Sequence, residues 1–282
     1  MYHDSTCRVK AFSKVRAVAS SPVTATSTEL TFVPLPCPKT RLIQQFEGAD
    51  CTSLADVWDW SVRRYPDKKL LGTRDILGEE DEVQTNGKMF KKLELGDYRW
   101  MTYEEVDSMA DSFGRGLRTL GQKPGENLCL FADTRMEWLV AAQASFRQSF
   151  PVVTIYTNLG EEAARHGLVE TGVELVVTSH ELLPRFKKIL QAGGEDKVKT
   201  IVYMTSPIHR TPTTGFREGV EVISFWDVVS RGKKTANNNM ADSSWESEPV
   251  RPSADTPAII MYTSGSTGTP KVRHGLELVL CS

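Results

Sequence analysis

The hydrophobic pattern of the chain alternates between two periods from about residue 100 onward. Short apolar runs, typical of buried strands, alternate with longer segments in which apolar side chains recur every three or four residues. Strands that alternate with helices in this way form right-handed crossover units, which build a parallel sheet covered by helices on both faces. The sequence therefore predicts an α/β fold, doubly wound, with mainly parallel strands and flanking helices.

The regular part of the pattern gives specific elements. A helix begins at the capping box of Thr102 and Glu105 and ends near Gly121, because glycine suits the C-terminal cap of a helix. The predicted strands occupy residues 127–131, 151–155, 174–178, 200–204 and 256–262. The helices between them are predicted over residues 135–147, from about residue 160, and over residues 181–191.

The pattern before residue 102 is less regular. A helix begins at the capping box of Ser53 and Asp56 and ends at Pro66, which cannot continue it. The elements predicted to follow are a short strand over residues 69–73, an acidic loop over residues 78–87, and a hairpin over residues 88–102 that turns at Gly96-Asp97.

Segments without apolar periodicity suggest how the chain is organised. Residues 1–40 are predicted to form a flexible leader, and their Ser, Thr and basic residues leave a targeting peptide as the alternative. Residues 41–271 are predicted to form one partial domain, with a polar linker loop over residues 230–253 inside it. Residues 272–282 are predicted to be a divergent tail.

Charge and cysteine usage exclude several classes of protein. The chain has 34 basic and 36 acidic side chains and a net charge of −2, which gives no electrostatic basis for binding nucleic acid. Its five cysteines form no CxxC pair, so neither structural zinc nor a disulfide framework is expected. No apolar run approaches the roughly 18 to 20 residues of a membrane-spanning helix. The five histidines are expected at the surface.

The strand at residues 256–262 leads directly into a segment rich in hydroxyl side chains and glycine. Glycines allow backbone N–H groups to face phosphate oxygens, hydroxyls add donors, and lysine adds a positive charge. Pro270 and Val272 exclude a Walker-type loop, which needs glycine and a hydroxyl residue there. The segment therefore predicts triphosphate binding, and a flexible surface loop is the alternative. It comprises Thr263, Ser264, Gly265, Ser266, Thr267, Gly268, Thr269, Pro270 and Lys271.

Residues 262–271, YTSGSTGTPK, resemble the phosphate-binding signature of the adenylate-forming superfamily, which includes acyl-CoA synthetases, luciferases and peptide-synthetase adenylation domains. Further segments are similar to the animal long-chain acyl-CoA synthetases, including the branch with arachidonate-preferring forms. These segments are LLGTRDIL, NGKMFKKLELGDYRWMTYEEV, FADTRMEWLVAAQASF and FPVVTIYTNLG. The resemblance covers residues 46 to 271 and weakens in the loops over residues 206–253.

The resemblance implies a truncated N-terminal domain of the adenylate-forming fold and a set of ligands. The family joins a fatty acid to coenzyme A, with ATP and Mg²⁺, through an acyl-adenylate, releasing AMP and pyrophosphate. Carried over by position, Thr263 is implied to contact Mg²⁺, and Lys271 to face the leaving pyrophosphate. No catalytic residue is carried over. The implied cradle for the β- and γ-phosphates comprises Thr263, Ser264, Gly265, Ser266, Thr267 and Gly268.

The sequence departs from the family after Lys271, and His274 lies at the wrong offset for the family histidine. The family's adenine pocket, acidic magnesium ligand, hinge and C-terminal domain with its catalytic lysine find no counterpart in these residues. The chain alone is therefore expected to make no acyl-adenylate. Without following elements to cover it, the strand over residues 256–262 is expected to expose its apolar side chains.

Two alternatives to an inactive ligase portion stay open. The first is a non-catalytic truncated isoform that acts as an interaction or regulatory module and pairs with a full-length synthetase. The second is a nucleotide-binding protein without acyl chemistry. The family resemblance further implies peripheral association with the cytosolic face of the endoplasmic reticulum or another intracellular membrane.

Overall fold

The computed structural model describes residues 51–191, 195–206, 208–238, 249–263 and 271–276. The predicted leader over residues 1–40 lies outside them. The strands are β1 (Lys69–Val83), β2 (Met89–Thr102), β3 (Leu128–Phe131), β4 (Val152–Thr154), β5 (Leu175–Ser179), β6 (Thr200–Met204), β7 (Glu221–Ser224), β8 (Pro257–Thr263) and β9 (Lys271–Leu276). The helices are α1 (Leu54–Arg64), α2 (Tyr103–Thr119), α3 (Met136–Arg147), α4 (Glu161–Thr171), α5 (Leu183–Gln191) and α6 (Phe225–Asn238), with a 3₁₀ turn at His180–Leu182.

A seven-stranded sheet forms the centre of the described structure, in the order β7-β6-β5-β3-β4-β8-β9. Neighbouring strands from β7 to β8 run parallel, and β9 pairs antiparallel with β8. After β4 the chain crosses back over β3 to reach β5, so the direction in which strands are added reverses beside β3. The predicted α/β fold with a mainly parallel sheet and flanking helices is confirmed.

The sheet separates two hydrophobic cores. Along β3, Leu128 and Leu130 belong to a core with α2, α3 and α6, whereas Cys129 and Phe131 belong to a second core with α4 and α5. All four side chains are buried. This division follows from the two-residue period of a strand, and a strand covered on both faces must be apolar at every position.

Glycines bring α2 and α6 into very close contact. A Cβ atom on Gly116 would lie 2.1 Å from the carbonyl oxygen of Val228. A Cβ atom on Gly232 would lie 1.7 Å from the carbonyl oxygen of Ser112. The helices can approach this closely because neither glycine has a side chain at the crossing point.

The polar segment predicted to be a linker loop over residues 230–253 begins as a helix. α6 continues to Asn238, so the first part of that prediction is wrong. The ring of Phe225 stacks on Phe113 with the centroids 4.3 Å apart, and Val228 is buried beside them. Packing of this apolar face stabilises the helix. The apolar face begins before residue 230 and was not predicted from the sequence.

The hairpin of β1 and β2 is longer than predicted, and its turn lies elsewhere. The strands pair through residues 78–83, where an acidic loop was predicted, and β2 continues past Gly96, where a turn was predicted, with only an irregularity in the register. Both predictions are wrong. Acidic residues on β1 lie opposite basic residues on β2, as Glu80 lies opposite Lys92, so the paired strands place unlike charges together.

The observed turn of this hairpin runs from Gln84 to Gly87, with Thr85 and Asn86 at its centre. Gly87 has a φ of 77°, and its backbone N–H donates a hydrogen bond to the carbonyl oxygen of Gln84 at 2.8 Å. The Asn86 side chain accepts a hydrogen bond from the backbone N–H of Lys88 at 3.0 Å. Gly87 alone in this turn has a positive φ, which matches hairpin loops in which a turn is followed by a glycine in the left-handed region.

The outer face of the hairpin carries an exposed aromatic ladder, which comprises Lys69, Trp100, Tyr98 and Arg74. The rings of Tyr98 and Trp100 stack with the centroids 5.8 Å apart. The Lys69 ammonium lies 5.5 Å from the Trp100 centroid, and the Arg74 guanidinium lies 5.4 Å from the Tyr98 centroid. Tyr98 is 61% exposed and Trp100 is 47% exposed.

Two more findings bear on the predicted class of the protein. Among the helices that the structure describes, none is long and apolar enough to cross a membrane. Cys51 and Cys129 are both buried. Burial raises the pKa of the Cys129 thiol, because the thiolate would lose its hydration in the apolar core.

Candidate functional site

The carboxyl ends of the parallel strands meet at one edge of the sheet, which is where ligands bind in open α/β folds. β8 runs to this edge and ends at Thr263. Thr263 lies opposite Lys271, the first residue of β9, in the antiparallel pair. The two ends of the predicted phosphate-binding turn are therefore paired with each other at the edge.

Only part of the predicted site lies within the described residues. For Thr263 and Lys271 the structure describes the backbone pairing. The intervening predicted residues lie outside the described part of the chain, so their role stays a prediction. They are Ser264, Gly265, Ser266, Thr267 and Gly268.

β8 is better covered than the sequence predicted. Ala258, Ile260 and Tyr262 are at most 4% exposed, so the expectation that the apolar side chains of this strand are exposed is wrong for them. Ile260 and Tyr262 pack in the core with α4 and α5. On the opposite face of the strand, Met261 is 38% exposed. The strand that leads to the turn is thus held firmly on one face.

Tyr262 connects β8 to helix α4 by polar contacts. Its Oη donates a hydrogen bond to Glu170 Oε2 at 2.9 Å, with the Gly167 carbonyl oxygen as a longer acceptor at 3.3 Å. Burial and the adjacent Glu170 carboxylate raise the pKa of the Tyr262 hydroxyl, since both disfavour the phenolate. The hydroxyl therefore stays protonated and donates at neutral pH.

Two buried hydroxyls at the carboxyl edge have no hydrogen-bond partner among the described residues. They are Thr154 Oγ1 at the end of β4 and Ser179 Oγ at the end of β5. Thr154 lies opposite Met261 of the neighbouring strand β8. Met261 in turn lies two residues before Thr263. A buried hydroxyl without a partner costs free energy unless a ligand or water accepts its hydrogen bond. Both hydroxyls are closed to solvent, so they do not by themselves form an open ligand-binding surface.

Arg135 is fixed at the same edge, after β3. It makes two hydrogen bonds to the Glu137 carboxylate, at 2.9 and 3.0 Å, and donates a third to the Thr205 carbonyl oxygen at 3.3 Å. Glu137 is buried, so this ion pair is shielded from water on one side. Its bidentate geometry holds the start of α3 against the end of β6.

A histidine pair lies beside Arg135 and was not foreseen as a cluster from the sequence. His180 Nε2 is 3.0 Å from Glu181 Oε2, and His209 Nε2 is 3.2 Å from Glu79 Oε2 on the hairpin. The expected surface position fits His209, whereas the His180 side chain is only 22% exposed. The residues of this cluster are far apart in sequence, so only the folded chain brings them together.

The pKa of His180 is lowered by its surroundings. Desolvation is the main cause, because burial disfavours the imidazolium. Glu181 and Glu79 act in the opposite direction, whereas the positive charge of Arg135 and the neighbouring His209 lower the pKa of His180 further. His180 is therefore favoured in its neutral form.

A separate charged cavity of about 300 Å³ lies near the end of α3, away from the carboxyl edge. Arg147 is its central cation, with a side chain 11% exposed. It forms ion pairs with Asp59 at 3.2 Å, with Asp107, and with Asp111 at 3.7 Å. Because its charges are already paired with one another, the cavity indicates a structural ion network rather than a ligand site.

Within the described residues, no group of His, Cys, Asp and Glu side chains could hold a metal ion. The acidic magnesium ligand of the family was not expected in this part of the chain. The predicted contact between Thr263 and Mg²⁺ stays a prediction, because for Thr263 the structure describes only the backbone pairing with Lys271.

Comparison with protein families and curated sequences gives a consistent result. The AMP-binding enzyme family matches residues 59–272. Long chain acyl-CoA synthetase 8 of Arabidopsis thaliana is 35% identical over 237 residues, which cover 82% of this chain and 31% of that protein. Long-chain-fatty-acid–CoA ligase 1 of Schizosaccharomyces pombe is 31% identical, over 79% of this chain and 33% of that protein. The chain thus spans about a third of the length of these relatives.

Solved structures share the fold. The adenylation domain of a carboxylate reductase from Mycobacterium chelonae matches with a TM-score of 0.64 and 18% identity, over 85% of this chain and 36% of that one. The anthranilate CoA ligase AuaEII, in complex with anthranoyl-AMP, matches with a TM-score of 0.56 and 19% identity, over 80% and 35%. At these identities the likeness shows the fold alone.

Proposed function

Because the chain belongs to the AMP-binding enzyme family, we propose that it is the N-terminal portion of a long-chain fatty acid–CoA ligase and that it holds the β- and γ-phosphates of ATP. The full reaction joins a fatty acid to CoA at the expense of ATP, giving acyl-CoA, AMP and pyrophosphate. The relatives named long-chain acyl-CoA synthetase or ligase support this choice of substrates.

The observation that carries the proposal is the pairing of Thr263 with Lys271 at the carboxyl edge of the parallel sheet. This pairing sets the two ends of a glycine- and hydroxyl-rich segment side by side, where α/β folds place their ligands.

The chemistry requires neutralisation of charge. A fatty-acid carboxylate must attack the α-phosphate of a polyanion, so donors and cations have to hold the β- and γ-phosphates as negative charge builds on the leaving pyrophosphate. In our proposal the backbone of the turn donates hydrogen bonds to these phosphates, and Lys271 supplies a positive charge. Bound Mg²⁺, contacted by Thr263, would supply further charge neutralisation.

We also propose that residues 1–282, expressed alone, bind ATP without forming acyl-adenylate. The matched residues correspond to about a third of the relatives' length, and adenylation needs groups from the rest of their fold. ATP–pyrophosphate exchange by purified residues 1–282 with oleate should equal that of a blank without protein. Exchange that depends on the fatty acid would contradict this proposal.

The binding proposal is tested by calorimetric titration of the chain with ATP and Mg²⁺. The Lys271→Ala variant should bind about tenfold more weakly, because a charge-assisted contact contributes about 1.5 kcal/mol. Lys199→Ala is the matched control, since Lys199 is exposed and pairs with Glu174 outside the site. Equal affinity of the Lys271→Ala variant and the wild type, or no binding by the wild type, would refute the assigned site.

A second candidate is a non-catalytic module that pairs with a full-length synthetase. The exposed aromatic ladder favours it, because stacked Tyr98 and Trp100 rings beside cations suit a protein interface. Co-purification with a full-length synthetase should fall when Trp100 is changed to alanine. Undiminished recovery of the complex, or no complex with the wild type, would argue against this function.

The family resemblance also leads us to propose peripheral association with the cytosolic face of the endoplasmic reticulum or another intracellular membrane. Flotation of the purified chain with phosphatidylcholine and phosphatidylserine vesicles tests it. Recovery with the vesicles is expected, and recovery only in the vesicle-free fraction would oppose the assignment.

A further inference from the structure

Tyr262 is the second-last residue of β8, and it directly precedes Thr263, the first residue of the proposed phosphate-binding turn. Its side chain is 3% exposed and lies on the face of the sheet that α4 covers. Its Oη donates to Glu170 Oε2 at 2.9 Å. A single side chain therefore connects the end of the strand to a helix that is distant in sequence.

The contact depends on a glycine in α4. A Cβ atom on Gly167 would lie 3.3 Å from two ring carbons of Tyr262 and 3.1 Å from Ile155 Cδ1. The ring thus lies against the helix backbone, which brings Oη within 3.3 Å of the Gly167 carbonyl oxygen. A larger residue at position 167 would push the ring and the strand away from the helix.

The hydrogen bond to Glu170 is stronger than a bond between neutral groups, because its acceptor is a carboxylate. Glu170 is 43% exposed, so water hydrates part of its charge, and His166 Nε2 lies 3.5 Å from the same oxygen. Tyr262 keeps its proton at neutral pH, as its raised pKa requires. The bond therefore persists under the conditions in which a nucleotide would bind.

The bond between Tyr262 and Glu170 can affect the turn because Tyr262 lies directly before the turn in the chain. Thr263 follows Tyr262 directly and is paired with Lys271, so a shift of the Tyr262 backbone would move both ends of the turn. Phosphate-binding backbone groups must be held within a few tenths of an ångström of their working positions, about 0.5 Å.

We propose that Tyr262 is a positioning residue for the phosphate-binding turn, and that its hydroxyl bond to Glu170 holds Thr263 and Lys271 where they bind the polyphosphate of ATP. This inference rests on the proposed function. Tyr262 does not touch the nucleotide in this arrangement; it acts through the backbone of β8.

The test compares two variants that each lose one buried hydroxyl near the end of a parallel strand. Tyr262→Phe removes only Oη. Thr178→Val is the matched control, because Thr178 Oγ1 on β5 donates to the Phe131 carbonyl oxygen at 2.7 Å, away from β8. Both variants of residues 1–282 are titrated with ATP and Mg²⁺ in a calorimeter, after thermal unfolding has shown that each is folded.

Tyr262→Phe should bind ATP about five- to tenfold more weakly, which corresponds to loss of one hydrogen bond of about 1 kcal/mol. Thr178→Val should bind like the wild type although it loses similar stability. If both variants lose stability and neither loses affinity, Tyr262 has only a structural role and the inference is overturned. If the wild type does not bind ATP, the proposed function itself fails, and the inference with it.

Variants of Glu170 provide a second line that keeps the tyrosine intact. Glu170→Gln retains an acceptor oxygen and should bind ATP within about twofold of the wild type, whereas Glu170→Ala should match Tyr262→Phe. The double variant Tyr262→Phe/Glu170→Ala should be no weaker than either single variant, because both remove the same bond. Additive losses in the double variant would contradict the inference.

Discussion

Gly232 of α6 faces the carbonyl oxygen of Ser112 of α2 so closely that a Cβ atom there would lie 1.7 Å away. The obstacle is backbone, which cannot turn aside as a flexible side chain could. The two helices must therefore separate if residue 232 acquires any side chain.

The Gly232→Ala variant should lose about 3 kcal/mol of unfolding free energy, the upper part of the usual range for overpacking. Urea unfolding followed by circular dichroism measures the change. Gly160→Ala is the control, since a Cβ atom at Gly160 meets nothing within 4 Å, and as a change at the N-cap of α4 it should lose less than about 1 kcal/mol. Equal stability of the two variants would show that the helices are not locked together.

Replacement of Arg147 by methionine should destabilise the protein by about 3 kcal/mol, because it removes the cation paired with the half-buried Asp107 carboxylate and leaves Asp59 with Arg251 alone. The exposed ion pair of Arg99 and Asp75 offers a contrast. Arg99→Met should change stability by less than about 1 kcal/mol. The difference is measured by urea unfolding, and similar losses in both variants would be evidence against a buried network.

The stability of the protein should fall as the pH is lowered from about 7.5 to 5.5. His180 has a lowered pKa in the folded state, chiefly through desolvation. The unfolded chain therefore binds a proton more readily, so stability is fully present above the ordinary histidine pKa and is lost below it. Unfolding free energy measured across this range should depend less on pH in His180→Gln. An unchanged slope in that variant would exclude His180 as the source.

A side chain at residue 87 should destabilise the turn of the hairpin and leave the seven-stranded sheet unaffected. Gly87→Val forces a β-branched residue to a φ of 77°, which costs about 1 to 2 kcal/mol. Hydrogen exchange should become faster in β1 and β2 and stay unchanged in β3 to β6. Gly78→Ala is the control, because its nearest obstacle is the movable end of Glu94. Faster exchange across both sheets would mean that the hairpin and the sheet unfold together.

The elements that the sequence predicted well are those whose signals are local. β3, β5 and β6 are short apolar runs, and α2 has a capping box in which Thr102 and Glu105 bond to each other's backbone N–H groups. In such segments the hydrophobic period and the cap chemistry specify the same structure. This agreement also made the fold class predictable.

The errors arose where two local signals competed. Gly96-Asp97 and the acidic run after Gly78 both resembled turns, whereas the actual turn runs from Gln84 to Gly87 and contains an Asn-Gly pair that the sequence also displays. The two strands of the hairpin are long and solvated, so no apolar alternation in the sequence marks their full extent. β7 was missed as well, because it has only four residues and follows a long loop.

The candidate site was predictable only in part. The composition of residues 263–271 indicated phosphate binding, and β8 leads to the carboxyl edge as expected. The link between Tyr262 and Glu170 could not be foreseen, since 92 residues separate them and only the packing of α4 on β8 brings them together. The same holds for Glu79 and His209, which are 130 residues apart.

Cys129 occupies the middle of the central strand, with its thiol fully shielded and its pKa raised. Alkylating reagents attack the thiolate, so they can reach this sulfur only when β3 loses its cover of α4 and α5. The rate at which iodoacetamide labels Cys129 should therefore measure how often the centre of the sheet opens.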